Sequence, residues 1–387
     1  MKTTLLLILM FHLMCPDGYS QEFQIGHTTT TFVDGSRGDR NISAEIYYPA
    51  DSAGDDVAIT ATEGAFPVLA FGHGFVMDVN AYENIWSNVV PRGFIMVLPK
   101  TEGGILPSHL EFAKDLAFVI NEMQVAGQDP TSLFYNRINA ASAVMGHSMG
   151  AGAAILAATL DSNISALAVL APVETNPSAI DAAGTISIPS LIFAGSNDCV
   201  TPPATNQIPM YDALPGDCKT YISITGASHC QMANSNLLCT IGEITCSPSP
   251  DISRDEQHEI INNYLADWLA SQLKEDCTAG SLFDQHIMSD PGITFQKNCL
   301  QCEPLANVDF HERDFYVYPN PFSNQINVFI DDTRPMVFTL YDFQMRKVTE
   351  AAVNQLTEIS LPVASGIFFY TIKHEGKLMK SGKLVRQ

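Results

Sequence analysis

The stretch from residue 142 to residue 160, SAVMGHSMGAGAAILAATL, decides the fold. Residues 142–145 form an apolar run typical of a buried strand, and residues 151–160 form a run of small and apolar residues that suits a helix. Gly146-His147-Ser148-Met149-Gly150 joins the two runs as a G-x-S-x-G pentapeptide. In such a turn the serine is strained, and a side chain on either flanking glycine would clash. The stretch therefore predicts a sharp turn that carries Ser148 between a strand and a helix packed close to it.

The alternation of strands and helices continues on both sides of this turn. Short apolar runs alternate with amphipathic stretches from about residue 21 to residue 274, a pattern typical of parallel strands joined by crossover helices. We predict strands at residues 44–48, 67–71, 94–98, 142–145, 166–170, 190–194 and 220–225, and helices at 110–125 and 260–269. The fold class is therefore α/β, with a doubly wound, mostly parallel sheet.

A serine hydroxyl is a poor nucleophile until a base takes its proton, and the base in turn needs an acid to orient it. Asp198 follows the strand at 190–194, and His229 follows the strand at 220–225. The carboxyl ends of parallel strands meet at one sheet edge, so we predict that Ser148, Asp198 and His229 form a catalytic triad there. Glu174 is the alternative acid. His147 is expected to pack beside Ser148 or to line the substrate pocket rather than to act as the base.

Acyl transfer also needs hydrogen-bond donors for the developing oxyanion. One is expected to be the backbone N–H of Met149, the residue after the serine. Phe71-Gly72-His73-Gly74-Phe75 follows the predicted strand at 67–71, and its glycines let the loop approach a substrate carbonyl. The N–H of Phe75 is therefore the second predicted donor, with its ring flanking the acyl group. A buried core aromatic is the alternative interpretation of Phe75.

Composition and the N-terminus indicate export and exclude several functions. With 20 Lys and Arg against 42 Asp and Glu, the net charge of −22 leaves no basic surplus for nucleic acid. Residues 1–20 are typical of a secretory signal: Lys2, a short apolar run, and small residues before Gln21. No later segment is long and apolar enough to span a bilayer. We expect a secreted or surface-attached protein, exported through the periplasm, with no transmembrane segment and no cofactor or metal.

The cysteines are consistent with an oxidising compartment. Besides Cys15 in the predicted signal, the chain has Cys199, Cys218, Cys230, Cys239, Cys246, Cys277, Cys299 and Cys302. An even number in an exported chain predicts disulfides. We expect Cys199–Cys218, Cys239–Cys246 and Cys299–Cys302. A metal site that uses Cys299 and Cys302 is the alternative, although no second CxxC supports it.

The pattern changes after residue 277. Residues 278–313 lack sustained periodicity and predict a linker between a domain at 21–277 and a second domain at 314–387. The second domain shows short strands separated by turn residues, at 325–330, 337–341, 357–361, 367–373 and 378–385. This pattern predicts a small C-terminal β-sandwich.

Residues 23–273 resemble the α/β-hydrolase superfamily, and within it the dienelactone-hydrolase-like and cutinase-like esterases that include bacterial polyester (PET) hydrolases. The resemblance rests on GHSMG at 146–150, on PSLIFAGSND at 189–198 and on GASHC at 226–230. It implies Ser148, Asp198 and His229 as triad, Phe75 and Met149 as oxyanion donors, and residues 171–175, with Val173 and Glu174, as the loop that lines the acyl subsite. It implies a serine esterase with polyesters as candidate substrates, although His147 and Val173 stand where the best-known polyester hydrolases usually have Trp and an aromatic residue. An amide-cleaving hydrolase and a non-catalytic surface-binding protein are the alternatives.

The C-terminal residues resemble the sorting domain of type IX secretion. Tyr318-Pro319-Asn320-Pro321-Phe322 is similar to its opening signature, and residues 365–370 with 382–385 are similar to its ending. The resemblance implies that the type IX machinery is a partner and that the module directs export across the outer membrane. A β-module that binds substrate is the alternative.

Overall fold

The computed structural model describes residues 23–62, 64–299, 315–330, 334–344, 346–374 and 376–386. The predicted signal at 1–20 and the stretch at 300–314 lie outside the described residues. The chain divides into two compact units, residues 1–302 and residues 303–387. Each unit is described by itself.

The first unit is built on a ten-stranded sheet in the order β10-β9-β8-β7-β6-β4-β5-β2-β1-β3. The strands are β1 (Gln24–Asp34), β2 (Arg40–Ala50), β3 (Gly54–Asp55), β4 (Phe66–Gly72), β5 (Ile95–Pro99), β6 (Ile138–His147), β7 (Ala166–Leu170), β8 (Ser190–Gly195), β9 (Lys219–Ile224) and β10 (Ile293–Asn298). The six adjacent strands β5, β4, β6, β7, β8 and β9 pair in parallel. β10 and β2 pair antiparallel to the two ends of this group, and β1 and β3 continue the sheet beyond β2. The predicted doubly wound, mostly parallel α/β fold is confirmed.

Helices cover both faces of this sheet. They are α1 (Glu83–Val89), α2 (His109–Ala126), α3 (Met149–Ala157), α4 (Ala179–Ala183), α5 (Gln207–Ala213), α6 (Leu237–Glu243), α7 (Arg254–Leu273) and α8 (Cys277–Ser289). Successive side chains of a strand point to opposite faces, and in β4 Val68 packs with the α2 and α3 side while Leu69 packs with the α7 side. Both apolar layers therefore exclude water from the sheet and hold its strand ends rigid.

The predicted linker at 278–313 is wrong in its first part. Residues 277–298 form α8 and β10, and β10 pairs with β9, with Ile293 opposite Ile224. Phe283 and Ile287 on α8 are fully buried in the same apolar layer as α7. Burial of these side chains makes the segment an integral part of the first unit.

All three predicted disulfides are wrong, because each of their described cysteines has another partner; Cys302 lies outside the described residues. The disulfides are Cys199–Cys246, Cys218–Cys299 and Cys230–Cys239. Sequence proximity misled the prediction, because the sheet brings Cys218, just before β9, next to the end of β10. The Cys199 and Cys230 bridges both run to the segment that contains α6.

The second unit contains two antiparallel sheets that share one core. Strands β11 (Phe315–Tyr318), β12 (Gln325–Ile330) and β15 (Leu356–Ser360) form one sheet; β13 (Met336–Tyr341), β14 (Lys347–Val353), β16 (Gly366–His374) and β17 (Lys377–Arg386) form the other. Buried side chains of both sheets, such as Ile326 and Phe338, belong to the same apolar cluster. The predicted β-sandwich is confirmed. Among the residues that the structure describes, no helix combines the length and apolarity needed to cross a membrane.

Candidate active site

The backbone at Ser148 makes a strained turn between β6 and α3. Its φ of 56° and ψ of −118° lie in a region that residues with a side chain rarely adopt. A Cβ at Gly146 would lie 2.5 Å from the carbonyl of Gly150, and a Cβ at Gly150 would lie 2.2 Å from the carbonyl of Gly72. Only glycine fits at these two positions. The pentapeptide therefore forms the predicted turn and presents Ser148 at the carboxyl edge of the sheet.

The structure brings Ser148, His229 and Asp198 together. His229 Nε2 lies 2.9 Å from Ser148 Oγ, and His229 Nδ1 lies 2.8 Å from Asp198 Oδ2. The three residues are 8%, 2% and 4% exposed, so their hydrogen bonds are largely shielded from water. They follow β6, β8 and β9, which place them at one sheet edge, as the sequence predicts. The arrangement can take a proton from the serine hydroxyl and stabilise the resulting imidazolium.

Asp198 is held by its own loop. Its Oδ1 accepts the backbone N–H groups of Val200 and Thr201 at 2.9 and 2.8 Å. Its Oδ2, the oxygen that faces His229, also lies 2.9 Å from the Thr201 hydroxyl. Sequence reasoning missed Thr201. The signal that could have found it is local, because an aspartate in a turn commonly accepts backbone N–H groups a few residues on, as Asp198 accepts that of Thr201.

Glu174, the alternative acid, is used elsewhere. Its Oε2 accepts the backbone N–H of Ile180 at 3.0 Å at the start of α4, whereas Asp198 is the carboxylate bonded to His229. Val173 is half-buried and packs against the apolar layer that contains α3. Both residues lie in the loop after β7, which the resemblance to esterases implies as the lining of the acyl subsite.

His147 packs inside the protein beside Ser148, the first of the two placements that the sequence left open. Its side chain is fully buried. Its Nε2 lies 3.2 Å from the carbonyl oxygen of His229, and its Nδ1 lies 3.0 Å from the Tyr82 hydroxyl. Burial lowers the pKa of His147 well below its ordinary 6.5. The ring is therefore neutral: Nε2–H donates to the His229 carbonyl, and Nδ1 accepts from Tyr82.

Tyr82 extends this chain of hydrogen bonds to the loop after β4. Its hydroxyl oxygen accepts the N–H of Gly74 at 2.7 Å, next to Phe75. Sequence reasoning missed Tyr82 because its partners are brought to it only by the folded sheet. The chain from Gly74 through Tyr82 and His147 to His229 joins the predicted oxyanion loop to the residue predicted as base.

Phe75 lies in the loop after β4, and Met149 is the first residue of α3, directly after Ser148. Gly150 touches the backbone of Gly72, which brings the start of α3 against the loop that carries Phe75. In the part of the chain that the structure describes, the N–H groups of Phe75 and Met149 have no acceptor. Phe75 is 48% exposed, so its ring is not a core residue. Both N–H groups remain able to bind an oxyanion.

Two family models match the chain, one in each unit. The model of a family described as PET hydrolase-like matches residues 20–247, and that of the secretion system C-terminal sorting domain matches residues 316–387. The chain is similar to three curated cutinases, each over 186 residues, or 48% of this chain. They are Cutinase est1 of Thermobifida alba (26% identical, 56% of its length), Cutinase 1 of Thermobifida cellulosilytica (33%, 64%) and Cutinase cut1 of Thermobifida fusca (32%, 52%). The chain thus spans between about half and two thirds of the length of these relatives.

Proposed function

The chain belongs to the PET hydrolase-like family, and on that premise we propose that it is a secreted serine esterase that works through an acyl-enzyme on Ser148. The observation that carries the proposal is the unbroken hydrogen-bond chain from Ser148 Oγ through His229 to Asp198, with distances of 2.9 and 2.8 Å. The C-terminal sorting domain assigns the chain to type IX export, which makes it a secreted or cell-surface protein.

Acylation begins when Ser148 Oγ attacks the ester carbonyl carbon. His229 Nε2 takes the hydroxyl proton as the new C–O bond forms, and Asp198 stabilises the imidazolium through Nδ1–H. The carbonyl electrons move onto oxygen, where the N–H groups of Phe75 and Met149 stabilise the negative charge. The tetrahedral intermediate then collapses. The alcohol leaves with the proton from His229 Nε2, and the acyl group stays on Ser148.

Deacylation reverses these roles with water as the nucleophile. His229 Nε2 takes a proton from the water as its oxygen attacks the acyl carbon. The same two N–H groups stabilise the second oxyanion. Collapse of this intermediate breaks the bond to Ser148 Oγ, and His229 returns the proton to the serine. The carboxylic acid product leaves, and the site is restored.

The surroundings of Ser148 support an ester with an apolar acyl part, with polymeric esters as candidate substrates. The half-exposed ring of Phe75 offers an apolar wall on the oxyanion side. Val173 and Glu174, in the loop after β7, would line the opposite side. The similarity to proteins named cutinases supports an ester as the substrate class.

The test combines a serine variant with covalent labelling. Ser148→Ala is expected to lower kcat on p-nitrophenyl butyrate by roughly five to six orders of magnitude and to abolish labelling by a fluorophosphonate. Ser43→Ala, at an exposed serine of β2, is the matched control and should behave as wild type. Esterase activity that survives in Ser148→Ala would contradict the proposal.

A substrate profile then defines the ester class. We expect hydrolysis of p-nitrophenyl esters over several chain lengths and release of soluble products from an insoluble polyester film. Matched anilides should be cleaved far more slowly than the esters. Faster cleavage of the anilides would make the protein an amidase, and an unlabelled Ser148 with no turnover would make it a binding protein.

A further inference from the structure

We propose that Thr201 and Gln207 form a buried positioning pair that fixes the Asp198 carboxylate against His229. The inference rests on the proposed function, because it concerns the same Ser148 site. Thr201 lies in the loop after β8, and Gln207 is the first residue of α5. Their exposed fractions are 1% and 0%. The two side chains thus act on the triad from behind, where no substrate reaches.

The Thr201 hydroxyl lies at the junction between acid and base. Its Oγ1 is 2.9 Å from Asp198 Oδ2 and 3.0 Å from His229 Nδ1. These two atoms are the ones that share the imidazole hydrogen. The hydroxyl therefore contacts both atoms of the hydrogen bond between Asp198 and His229, which orients the imidazole toward Ser148.

Gln207 determines which way the Thr201 hydroxyl points. Its amide group faces the carbonyl oxygen of Pro172 at 2.6 Å. A carbonyl oxygen only accepts, so this amide atom is the nitrogen, Nε2, and it also donates to Thr201 Oγ1 at 3.1 Å. With Gln207 as donor to Oγ1, the hydroxyl hydrogen is directed to its nearest acceptor, Asp198 Oδ2, rather than to the Ala171 carbonyl at 3.3 Å.

The carboxylate is then restrained at both oxygens. Oδ1 is held by the N–H groups of Val200 and Thr201, and Oδ2 is held by the Thr201 hydroxyl in addition to His229. Without the hydroxyl, Oδ2 keeps only its bond to the imidazole, and small rotations of the carboxylate would move the ring away from Ser148 Oγ. A misplaced imidazole lowers kcat but leaves the binding of substrate unchanged.

The cost of burying Gln207 supports a positioning role. Its Oε1 is buried and has no partner among the described residues. An unpaired buried oxygen lowers the stability of the fold. A gain in folding stability therefore does not account for the Gln207 amide at this position. Its nitrogen instead joins the loop after β7, through Pro172, to the loop that carries Asp198.

The test compares Thr201→Val, which has nearly the same shape without a hydroxyl, with Thr201→Ser, which keeps the hydroxyl. We expect Thr201→Val to lower kcat on p-nitrophenyl butyrate about 10- to 100-fold, with KM changed less than about twofold. Fluorophosphonate labelling of Ser148 should slow in proportion. Thr201→Ser should recover kcat to near the wild-type value. Thr29→Val, at an exposed threonine of β1, controls for the substitution itself.

A second variant tests whether Gln207 acts through Thr201. Gln207→Met keeps length and removes the donor, and it should lower kcat by a smaller factor than Thr201→Val. The double variant should be no slower than Thr201→Val alone, because coupled residues are not additive. Wild-type kcat in Thr201→Val, a Thr201→Ser as slow as Thr201→Val, or additive losses would each overturn the inference. A wild-type protein that hydrolyses no ester would overturn the proposed function together with it.

Discussion

Gly150 is the residue at which α3 touches the loop after β4. A Cβ there would lie 2.2 Å from the carbonyl carbon and oxygen of Gly72. No rotation of a side chain can relieve a clash with backbone, so α3 and the loop would have to move apart. The N–H groups of Met149 and Phe75 lie on these two segments. The absence of a side chain at 150 therefore sets the separation of the two proposed oxyanion donors.

Gly150→Ala should lower both activity and stability. We expect a loss of about 1–3 kcal/mol in the free energy of unfolding and loss of nearly all hydrolysis of p-nitrophenyl butyrate. Gly104→Ala is the matched control, because a Cβ at Gly104 meets nothing within 4 Å. Urea unfolding and kcat measure the two effects. A Gly150→Ala variant as active as wild type would contradict this account of the turn.

Tyr82→Phe removes one hydroxyl from the chain that joins Gly74 to His147. The Gly74 N–H and His147 Nδ1 then lose their partners inside the protein, and a buried unpaired group costs about 1–3 kcal/mol of stability. We also expect a lower kcat, because Gly74 precedes the oxyanion donor Phe75. The control is Tyr135→Phe, at a tyrosine that is 41% exposed. Unchanged unfolding and kcat in Tyr82→Phe would show that the chain of hydrogen bonds is not needed.

The residues that the sequence could predict differ in kind from those it could not. Ser148 directly follows β6, and Asp198 and His229 lie in the loops just after β8 and β9. The parallel order of these apolar strands brings such positions to one sheet edge. The contacts of His147 depend instead on residues far along the chain, Tyr82 and His229. The residues next to His147 in the sequence do not show whether its side chain is buried. The sequence alone therefore could not decide whether His147 packs in the interior or lines the substrate pocket.

At the scale of elements, dense or alternating apolar runs were predicted well, whereas β10, at the edge of the sheet of the first unit, was not. β7 and β12 carry dense or alternating apolar residues and lie where predicted. β10 buries only Ile293, and Phe295 is 37% exposed, so its sequence lacks the signal of a buried strand. Its position comes from pairing with β9, a contact that the sequence pattern does not encode locally. The predicted linker failed for this reason.

The disulfides near α6 offer a prediction about one element. Cys199 directly follows Asp198, and its bridge to Cys246 ties that loop to the segment containing α6. Cys199→Ser with Cys246→Ser should lower stability by about 2–4 kcal/mol and also lower kcat, because the Asp198 loop gains freedom. Removal of Cys218–Cys299 by two serines is the matched control. It should lower stability by a similar amount and leave kcat unchanged. Equal kcat in both double variants would contradict a role of the α6 segment in holding Asp198.

At the scale of the whole molecule, the two units have separate cores. No residue of the C-terminal cluster belongs to either apolar layer of the first unit, among the residues that the structure describes. A unit with its own core can fold without its neighbour. The sorting domain is therefore expected to serve export and not catalysis.

Deletion of residues 303–387 tests this separation. The shortened protein should keep the kcat/KM of the full chain on p-nitrophenyl butyrate, because every proposed site residue lies in the first unit. In a host with type IX secretion, it should accumulate in the periplasm rather than outside the cell. Fractionation and activity assays measure the two outcomes. Normal delivery of the shortened chain would show that the signal for export lies elsewhere.

Acid should destabilise the protein in two separate pH ranges. Burial lowers the pKa of His147 and of His258 from the ordinary 6.5. As pH falls below 6.5, both imidazoles become protonated in the unfolded chain but stay neutral in the folded protein. The free energy of unfolding therefore decreases as pH decreases. Asp34 affects stability at lower pH, because hydrogen bonds from Ser36 and Arg37 reduce its pKa from 3.8 to about 2. Its contribution is fully present above pH 3.8 and is lost as pH falls through about 2.

Urea unfolding between pH 8 and pH 2 can separate the two ranges. His258→Gln should weaken the fall in stability between about pH 7 and pH 5, because one of the two imidazoles no longer titrates. Asp34→Asn should leave that range unchanged and weaken the fall below pH 4 instead. Each variant is the control for the other. If His258→Gln left the upper range as steep as in wild type, the neutral burial of this imidazole would not contribute to acid sensitivity, and His147 would have to account for it alone.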